Sequence, residues 1–336
     1  MANYEHRKVL VTDYAWENLQ PERKVLSKVG ADLVVASSGK EEELVKLAKE
    51  VVGILTCWAR VTPRVVNAAK KCQVIGRYGI GVDNIAVEEA TKLGIIVTNV
   101  PSYCTDEVSE HAMALLLNCA RKVSFYDRTI KRGEWDIQSG NRMFRLRGKI
   151  LGLIGFGKIA QALVPKAQAF GLNIVAFDPY ISEKDAQKYG VKMTLFDELL
   201  KSADFISVHV PLTNSTYKLL DETAFKKMKN TAYVINTSRG AVVDTTALVR
   251  AVKEGWIAGA GLDVLPKEPP DTDEPVLCQE NISLTPHAAF CSVESLIELE
   301  TKAAKQIALV LQRKEPEYIV NQQVLNSPRL RASLQK

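Results

Sequence analysis

The stretch Lys149–Asp178 constrains the fold of this chain more than any other. It opens with the apolar run Ile150–Ile154, turns through two glycines, continues with helical spacing to Phe170 and returns through the apolar run Asn173–Phe177. This order predicts a strand, a helix and a second strand parallel to the first. The chain is therefore expected to contain an α/β sheet.

Two glycines and an alanine in this stretch match the phosphate-binding turn G-x-G-x-x-G/A. Gly155 permits the tight turn, Gly157 lets a pyrophosphate approach the backbone, and Ala160 is small enough for the helix to pack on the strand. The start of the helix adds N–H groups and the positive end of a dipole. An ordinary glycine turn can show the same spacing, but the strand before it and the helix after it favour a dinucleotide site.

Asp178 stands at the end of the second strand of this unit. A carboxylate at that place can accept hydrogen bonds from both hydroxyls of an adenosine ribose, and it repels a 2′-phosphate. The predicted cofactor is therefore NAD rather than NADP.

Length and charge exclude several other classes of protein. With 336 residues, the chain is long enough for two domains with full cores. Its 44 basic and 39 acidic residues leave a net charge of +5, which is too balanced to indicate nucleic acid as a partner. No apolar run approaches the roughly 18 residues of a membrane span, so no membrane is expected either.

The N-terminus and the cysteines bear on the compartment. Residues 1–8 are polar and lack the pattern of a signal peptide. The six cysteines show no C-x-x-C and no paired spacing, so neither a disulfide framework nor a metal site is predicted. A reducing cytoplasm is the expected location.

The N-terminal third of the chain alternates short apolar runs with amphipathic segments, which predicts a parallel sheet with helices on both faces. The predicted strands are Val9–Thr12, Leu33–Ala36, Gly53–Thr56, Val74–Arg77 and Ile95–Thr98. The predicted helices are Ala15–Val29, Lys40–Glu50, Pro63–Lys70 and Val87–Leu93.

The pattern resumes after a linking helix, Asp106–Arg121, and predicts a doubly wound sheet of about seven strands. Besides Ile150–Ile154 and Asn173–Phe177, its strands are Val191–Leu195, Phe205–Val208, Ala232–Ile235, Ile257–Leu262 and Ile282–Leu284. The further helices are Phe196–Lys201, Asp221–Met228, Thr245–Glu254 and Ser292–Gln312.

The predicted fold class is α/β with two doubly wound parallel-sheet domains. Residues 103–289 are assigned to a Rossmann NAD-binding domain. Because the segment Glu317–Val320 has no core of its own, the C-terminal residues are expected to return to the N-terminal sheet. Residues 1–102 and 290–336 would then form a discontinuous, flavodoxin-like substrate domain, with the active cleft between the two domains.

A second glycine loop, Gly79–Asn84, directly follows a predicted strand of the first sheet. It lies at the carboxyl edge, where open α/β sheets bind ligands. We expect amide groups near Gly79 and Ile80 to meet a substrate anion, although a plain connection would have the same sequence pattern.

Residues 124–148 are polar and basic. They include Arg142, Arg145 and Arg147, and Lys149 follows. A charge cluster of this kind is most often a solvated face, and this interpretation is preferred to a polyanion site.

Three segments after residue 230 follow predicted strands on the side where the glycine turn would put the cofactor. The first carries Arg239, whose guanidinium can clamp a carboxylate by two parallel hydrogen bonds. The other two carry Glu268 and His287, which can pair, the carboxylate orienting the ring and favouring its protonated form near neutrality. Hydride transfer needs a hydride acceptor, an acid/base and an anion anchor, and NAD, His287 and Arg239 fill those roles.

Each of these residues also has a simpler interpretation. Arg239 can be a surface charge and Glu268 an ordinary loop carboxylate. The other histidines are interpreted as structural, and they are His6, His111 and His209. The position of residues 239, 268 and 287 after consecutive strands favours the functional interpretation.

Four ordered motifs resemble those of the D-specific 2-hydroxyacid dehydrogenases. They are GFGKIA with Asp178, INTSRGAVVD at 235–244, LDVLPKEP at 262–269 and TPHAA at 285–289. The resemblance runs from GIGVDN at 79–84 to VNQQVL near the C-terminus. Within the family it points to the branch of the C-terminal-binding proteins and hydroxypyruvate reductases.

The resemblance implies a homodimeric oxidoreductase that transfers a hydride reversibly between NAD(H) and a small 2-keto or 2-hydroxy acid. Its catalytic residues would be Arg239, Glu268 and His287, with His287 as the acid/base. The cofactor-contacting positions that it implies, besides Arg239 and His287, are Gly155, Phe156, Gly157, Lys158, Ile159, Asp178, Thr237, Ser238 and Asp263, with Cys104, Thr105, Pro211 and Thr216.

The identity of the keto acid stays open among glyoxylate, hydroxypyruvate and small apolar 2-keto acids. The phosphoglycerate branch of the family often has an arginine where this chain has Thr56, and no C-terminal regulatory domain is expected, so phosphoglycerate oxidation is disfavoured. Trp58 and Phe290 are candidate walls of the substrate pocket, although both can equally be core aromatics. The other candidate substrate contacts are Gly79, Ile80, Arg239 and His287.

The C-terminal-binding proteins, co-repressors built on the same fold, offer a second class of function. They keep the catalytic trio and act as NAD-dependent dimeric scaffolds for peptide motifs, and fold alone does not separate a scaffold from an enzyme. The sequence shows no disordered tail and no basic nuclear-type cluster beyond 142–149, which favours the enzyme. A carbonyl reductase of non-acid substrates would leave Arg239 without an anion to bind.

Overall fold

The structure, a computed structural model, describes residues 7–140 and 143–335. The chain divides into two compact units, one of the residues up to Tyr103 and from Ser292 onward, the other of Cys104–Cys291. Each unit is built on one parallel sheet, of five strands in the first and seven in the second. The predicted fold class, α/β with two parallel-sheet units, is thus confirmed. In the part of the chain described, none of the helices is both long and apolar enough to cross a membrane.

The first unit has the strand order β2-β1-β3-β4-β5, which is the flavodoxin-like order. Its strands are β1 Arg7–Val11, β2 Ala31–Val35, β3 Gly53–Thr56, β4 Val74–Arg77 and β5 Ile96–Thr98. Its helices are α1 Gln20–Leu26, α2 Glu41–Leu47, α3 Pro63–Ala68, α4 Val87–Lys92 and, after the second unit, α12 Val293–Leu311. One face of the sheet packs on α2, α3 and α4 through a cluster that includes Leu10, Leu44, Ile54, Val66 and Ile75.

The helix α12 can pack closely on the sheet because two strand residues beneath it are glycines. A Cβ atom at Gly53 would lie 3.1 Å from the Ile307 side chain, and one at Gly76 would lie 3.2 Å from it. These distances are tighter than ordinary van der Waals contact, so a larger residue at either position would push the helix away.

The segment after α12 returns to the edge strand β5. Ile319 forms an antiparallel bridge with Thr98, and the Val320 amide donates to the Val97 carbonyl at 2.8 Å. Asn321 is fully buried and holds this segment in place. Its amide group donates to Thr91 Oγ1 at 2.8 Å and to the Ile95 carbonyl at 3.0 Å, and its Oδ1 accepts from the Val97 amide at 2.8 Å.

The second unit has the strand order β12-β11-β10-β9-β6-β7-β8. Its strands are β6 Ile150–Ile154, β7 Asn173–Phe177, β8 Lys192–Met193, β9 Phe205–Val208, β10 Tyr233–Asn236, β11 Gly259–Leu262 and β12 Ile282–Leu284. Its helices are α5 Thr105–Arg121, α6 Val123–Lys131, α7 Lys158–Ala169, α8 Glu183–Gln187, α9 Phe196–Ser202, α10 Glu222–Lys227 and α11 Thr245–Lys253. Short 3-10 turns, in the two units together, are Ser27–Val29, Ala48–Glu50, Ile137–Gly140, Gly240–Val242, Pro275–Cys278 and Gln322–Asn326.

Both faces of this second sheet carry a hydrophobic core. One cluster includes Leu200, Phe225 and Leu248 under α9, α10 and α11, and the other includes Leu116 and Leu163 under α5 and α7. The chain leaves β6 toward β7 on one side and later adds β9 on the other side. The order of the strands therefore reverses at β6, which is where sheets of this type bind a ligand at their carboxyl edge.

Three predicted segments differ from the structure. The strand predicted for Val191–Leu195 is limited to Lys192–Met193. The helix predicted for Ala15–Val29 begins only at Gln20, because Pro21 fits the first turn of a helix but lacks the N–H group that an interior position needs. The polar stretch 124–148 is exposed over most of its described length, as expected of a solvated face, but the sequence pattern did not predict α6 in its first part, where Tyr126 and Ile130 stand at helical spacing. Arg145 and Arg147 of this stretch are exposed. Lys149, which follows it, pairs with Asp204 at 3.4 Å. Arg142 and His6 lie outside the described residues.

We expect Asn321→Leu to destabilise the first unit by roughly 2–4 kcal/mol, because the Val97 amide and the Ile95 carbonyl would stay buried without their partner. Urea unfolding of the two proteins measures the change. Asn67→Leu is the matched control, since Asn67 makes its hydrogen bonds on the exposed surface of α3 and should cost about 1 kcal/mol or less. Equal losses in the two variants would contradict the assigned role of Asn321.

Candidate active site

The turn between β6 and α7 has the geometry of a phosphate-binding loop. Gly155 has φ +88°, and a Cβ atom there would lie 2.8 Å from the His209 carbonyl oxygen, so only glycine fits. A Cβ atom at Gly157 would meet no described atom within 4 Å. The backbone at Gly157 therefore faces open space that a ligand can enter.

The first turn of α7 points its N–H groups into the same space. The helix begins at Lys158, and among the described residues no side chain caps it. Because the first N–H groups of a helix have no partner inside the helix, Lys158 and Ile159 offer donors to an anion. Phe156 shapes the turn from inside, since its ring is fully buried and packs edge to face on Tyr189 at 5.7 Å between ring centroids.

Asp178 is held beside this turn by two backbone amides. Its Oδ2 accepts from the Phe156 amide at 2.8 Å, and its Oδ1 accepts from the Tyr180 amide at 2.8 Å. The carboxylate is half-buried at the end of β7. The same carboxylate thus closes the glycine turn and presents a negative charge next to it.

The loop after β10 places Thr237, Ser238 and Arg239 at the same edge of the sheet. The buried Asn236 side chain organises it, because Oδ1 accepts from the Ser238 amide and hydroxyl and Nδ2 donates to the Arg239 carbonyl at 2.9 Å. The Thr237 hydroxyl is buried and has no hydrogen-bond partner among the described residues. A buried hydroxyl of this kind indicates that a bound group supplies the missing partner.

Four further predicted cofactor positions lie at the start of α5 and in the loop after β9. Cys104 is buried directly before α5, and Thr105 is the first residue of that helix. In the loop after β9, Thr216 Oγ1 donates to the Pro211 carbonyl at 2.6 Å and accepts from the Thr213 amide at 2.8 Å. These bonds give the loop a defined shape.

Glu268 and His287 are brought together by the adjacent strands β11 and β12. His287 Nδ1 lies 2.6 Å from Glu268 Oε2, and the Leu265 amide donates to Glu268 Oε1 at 2.9 Å. Burial alone raises the pKa of Glu268, but the hydrogen bond and charge of His287, the Leu265 amide and the charge of Arg239 together lower it below its usual value. Glu268 is therefore ionised at neutral pH and orients the imidazole.

Arg239 stands on the loop after β10. Its Nη1 donates to the Ser238 carbonyl at 2.9 Å, which directs the guanidinium, and its charge contributes to the lowered pKa of Glu268. The three predicted catalytic residues thus come from the loops after β10, β11 and β12.

Asp263 fixes the loop that carries His287. It is buried, and its Oδ1 accepts from the Thr285 hydroxyl at 2.6 Å and the Ala288 amide at 2.9 Å, while Oδ2 accepts from the Ala289 amide at 3.0 Å. The Asp263 carbonyl accepts from the His287 amide at 2.8 Å. Asp263, predicted to contact the cofactor, is therefore bonded chiefly to the loop of His287.

The two other described histidines have defined partners. His209 bonds to the Ser207 hydroxyl at 2.8 Å, and burial lowers the pKa of His209 to about 4, so the ring is neutral near pH 7. His111 Nε2 lies 2.9 Å from Thr285 Oγ1 and 3.5 Å from Asp263 Oδ1. His111 thus belongs to the network that holds the His287 loop.

The predicted substrate contacts are divided between the two units. Phe290 packs edge to face on His287, with 6.1 Å between the ring centroids. In the first unit, the Trp58 ring is partly exposed and its amide donates to Asp13 at 2.7 Å. The Gly79 amide donates to the Arg77 carbonyl at 3.1 Å, and the Ile80 carbonyl accepts from the Asn99 side chain at 2.7 Å.

The second unit has the fold of a nicotinamide-dependent oxidoreductase, with a glycine turn before a helix, an acid at the end of the next strand and a histidine–carboxylate pair on neighbouring loops. The residues present fit NAD, because Gly157 faces open space, α7 offers N–H groups, Asp178 is fixed beside them and the Thr237 hydroxyl lacks a partner among the residues that the structure describes.

Comparison with known proteins gives the family. The family model described as D-isomer specific 2-hydroxyacid dehydrogenase, NAD binding domain, matches residues 113–289. Glyoxylate reductase of Korarchaeum cryptofilum is 40% identical over 286 residues, which covers 84% of this chain and 86% of the relative. The chain belongs to the D-isomer specific 2-hydroxyacid dehydrogenase family, whose members are NAD-dependent oxidoreductases of CH–OH groups. The predicted family is confirmed.

Two further comparisons describe the range of the family. D-3-phosphoglycerate dehydrogenase of Methanocaldococcus jannaschii is 41% identical over 315 residues, which covers 94% of this chain but only 59% of the relative. The crystal structure of D-lactate dehydrogenase from Aquifex aeolicus, complexed with NAD and lactic acid, superimposes with a TM-score of 0.85 at 26% identity. That match covers 94% of this chain and 99% of the other.

Sequence reasoning did not assign a role in the site to Asn236, Thr285 or His111. Asn236 and Thr285 stand inside the motifs INTSRGAVVD and TPHAA, so their position next to Arg239 and His287 was a usable signal. His111 has no such signal, because it contacts a residue that is 174 positions away along the chain.

We expect Asp178→Asn to lower the preference for NADH over NADPH, measured as the ratio of kcat/KM values, by about tenfold or more, which is about 1.4 kcal/mol. The reason is that the variant keeps the size of the side chain but loses the charge that repels a 2′-phosphate. Asp185→Asn removes an exposed charge from α8 and should leave the ratio unchanged. An unaltered ratio in the Asp178 variant would contradict its ribose role.

Proposed function

We propose that this chain is an NAD-dependent D-2-hydroxyacid dehydrogenase in which His287 is the acid/base for a small 2-keto or 2-hydroxy acid. The observation that carries the proposal is the 2.6 Å contact between His287 Nδ1 and an ionised Glu268. A histidine whose ring is oriented by a carboxylate is the usual arrangement for proton transfer to a substrate oxygen.

The proton step follows from this contact. NAD(H), when bound, supplies or accepts the hydride. Because Nδ1 of His287 faces Glu268, Nε2 is the nitrogen that would donate a proton to the 2-oxo oxygen in reduction and take it back in oxidation. Glu268 stays ionised through this cycle and keeps Nδ1 of the ring directed at its carboxylate.

Arg239 would bind the substrate carboxylate. A guanidinium presents donors in a planar fork that matches a carboxylate, and the Ser238 carbonyl fixes its orientation. Phe290 would form a wall of the substrate pocket, and Trp58, Gly79 and Ile80 would contact the substrate. Since the Gly79 amide already donates to Arg77, the Ile80 amide is the better candidate of the two.

The substrate is proposed to be a small, unphosphorylated keto acid such as glyoxylate or hydroxypyruvate. Relatives named glyoxylate reductase support this proposal. At the position where the phosphoglycerate branch often has an arginine, Thr56 is fully buried, donates to the Ala59 carbonyl and accepts from Thr12. A buried neutral side chain at that place cannot offer a charge to a phosphate.

We expect glyoxylate, hydroxypyruvate or a small apolar 2-keto acid to oxidise NADH in the presence of this protein, measured as the loss of NADH absorbance. His287→Gln should lower kcat by about 10²–10⁴-fold while the Kd for NADH stays nearly unchanged, because the ring is needed for proton transfer and the glycine turn, α7 and Asp178 supply most of the predicted dinucleotide contacts. Glu280→Gln, which changes an exposed carboxylate of the same unit, is the control.

Two results would contradict this proposal. A wild-type rate in His287→Gln would exclude His287 as the acid/base. If no 2-keto acid in the panel oxidised NADH while NADH still bound, the NAD-dependent scaffold resembling the C-terminal-binding proteins would be the better interpretation.

A homodimer is also part of the proposal, and an apolar surface on α6 and the residues after it supports it. Trp135 and Ile137 are 88% and 80% exposed, and Val123 and Ile130 are exposed on α6. Several exposed large apolar side chains within one short segment are a feature of interfaces between proteins.

We expect the double variant Trp135→Glu, Ile137→Glu to sediment as a monomer under conditions in which the wild-type protein sediments as a dimer. Two charges at the centre of an apolar interface would be desolvated without partners. Leu195→Glu changes another side chain of the same unit, 73% exposed, and should leave the mass unaltered. Dimers in both variants would place the interface elsewhere.

A further inference from the structure

We propose that His111 is a positioning residue for His287, acting through Thr285 and Asp263. This inference rests on the proposed role of His287. His111 would help to hold the loop of residues 285–289 in place. It would affect the reaction without touching substrate or cofactor.

The loop needs such support because of the backbone at His287. This residue has φ +53°, a left-handed conformation that residues other than glycine rarely adopt. Its amide donates to the Asp263 carbonyl at 2.8 Å and to the Thr285 carbonyl at 3.1 Å. A conformation of this kind persists only where the surrounding hydrogen bonds specify it.

The Asp263 carboxylate supplies most of these bonds. It is fully buried and accepts from the Thr285 hydroxyl, the Ala288 amide and the Ala289 amide. All three donors belong to the loop that carries His287. A change in the direction of any of them would therefore move the imidazole relative to Glu268.

The direction of the Thr285 hydroxyl decides the proton position on His111. A threonine hydroxyl has one hydrogen, and at 2.6 Å from an acceptor carboxylate this hydrogen points to Asp263. Thr285 Oγ1 can then only accept in its 2.9 Å contact with His111 Nε2. His111 must therefore carry hydrogen on Nε2, and this donor keeps the Thr285 hydrogen directed at Asp263.

The helix α5 makes His111 a rigid donor. Its buried face, which includes Ala112, Leu115 and Leu116, packs against the second sheet. Asn118, two turns further along α5, lines the same cavity of about 530 Å³ as His111 and Thr285. Asn118 donates to Ser283 at 2.7 Å and to Ser124 at 3.0 Å, so it serves as a neighbour outside the Asp263 network.

The first test is kinetic. We expect His111→Leu and Thr285→Val each to lower kcat about tenfold with an unchanged Kd for NADH, because a small misplacement of a catalytic group is enough to lower the rate. The double variant should lose no more than either single variant, because both break the same chain of bonds. His111→Gln, which also carries an N–H donor, should recover most of the rate, and Asn118→Leu should keep the wild-type kcat.

The second test does not depend on turnover. In hydrogen exchange followed by mass spectrometry, the segment 285–290 should exchange faster in His111→Leu than in the wild type, while β10 should exchange equally in both. This result would hold even if no keto acid proved to be a substrate, so a failure of the proposed function is distinguished from a failure of this inference.

The inference would be overturned by an unchanged kcat and unchanged exchange in His111→Leu, by additive losses in the double variant, or by an equal loss in Asn118→Leu. A His111→Leu protein that is loosened throughout, with faster exchange in β10 as well, would show a general structural role and would also count against it.

Discussion

The candidate active site depends on the hydrogen bonds that the buried Asp263 carboxylate accepts. Burying a charge is costly unless hydrogen bonds replace the water that it loses, and here a hydroxyl and two amides do so. All three donors come from residues 285–289. Satisfying this one carboxylate therefore forces the loop into the conformation in which His287 meets Glu268.

The parallel sheet brings the chemistry to one edge. Asn236 on β10 pairs in register with Leu262 on β11, which in turn pairs with Leu284 on β12. Because parallel strands end at the same edge, the loops that follow them leave side by side. The glycine turn after β6 lies at this edge too, so the dinucleotide site and the catalytic loops share one side of the sheet. The buried networks of Asn236 and Asp263 then direct the individual side chains.

Most strands, and the edge of the sheet that carries the candidate site, were predictable from the sequence, whereas several helix limits and supporting contacts were not. The runs Ile150–Ile154 and Phe205–Val208 are predicted with the limits that the structure has, since short apolar runs between turns are strong local signals. The helix α6 was not predicted because charged residues stand between its apolar positions Tyr126 and Ile130. The position after strands marks Arg239, Glu268 and His287 as candidates, but no local pattern shows their distances from one another.

Local pattern and motif are enough to specify two parallel sheets, a dinucleotide turn and the residue types that the chemistry needs. These features are encoded within stretches of about 30 residues, where strand, turn and helix signals follow one another directly. The hydrogen-bond partners of Asp263 and the donor role of His111 are not encoded in any such stretch. Thr285 and His111 are 174 positions apart, and their contact exists only once α5 has packed on the sheet beside β12. Hydrogen bonds between such distant residues depend on how strands and helices are placed in space, and sequence periodicity carries no information about that placement.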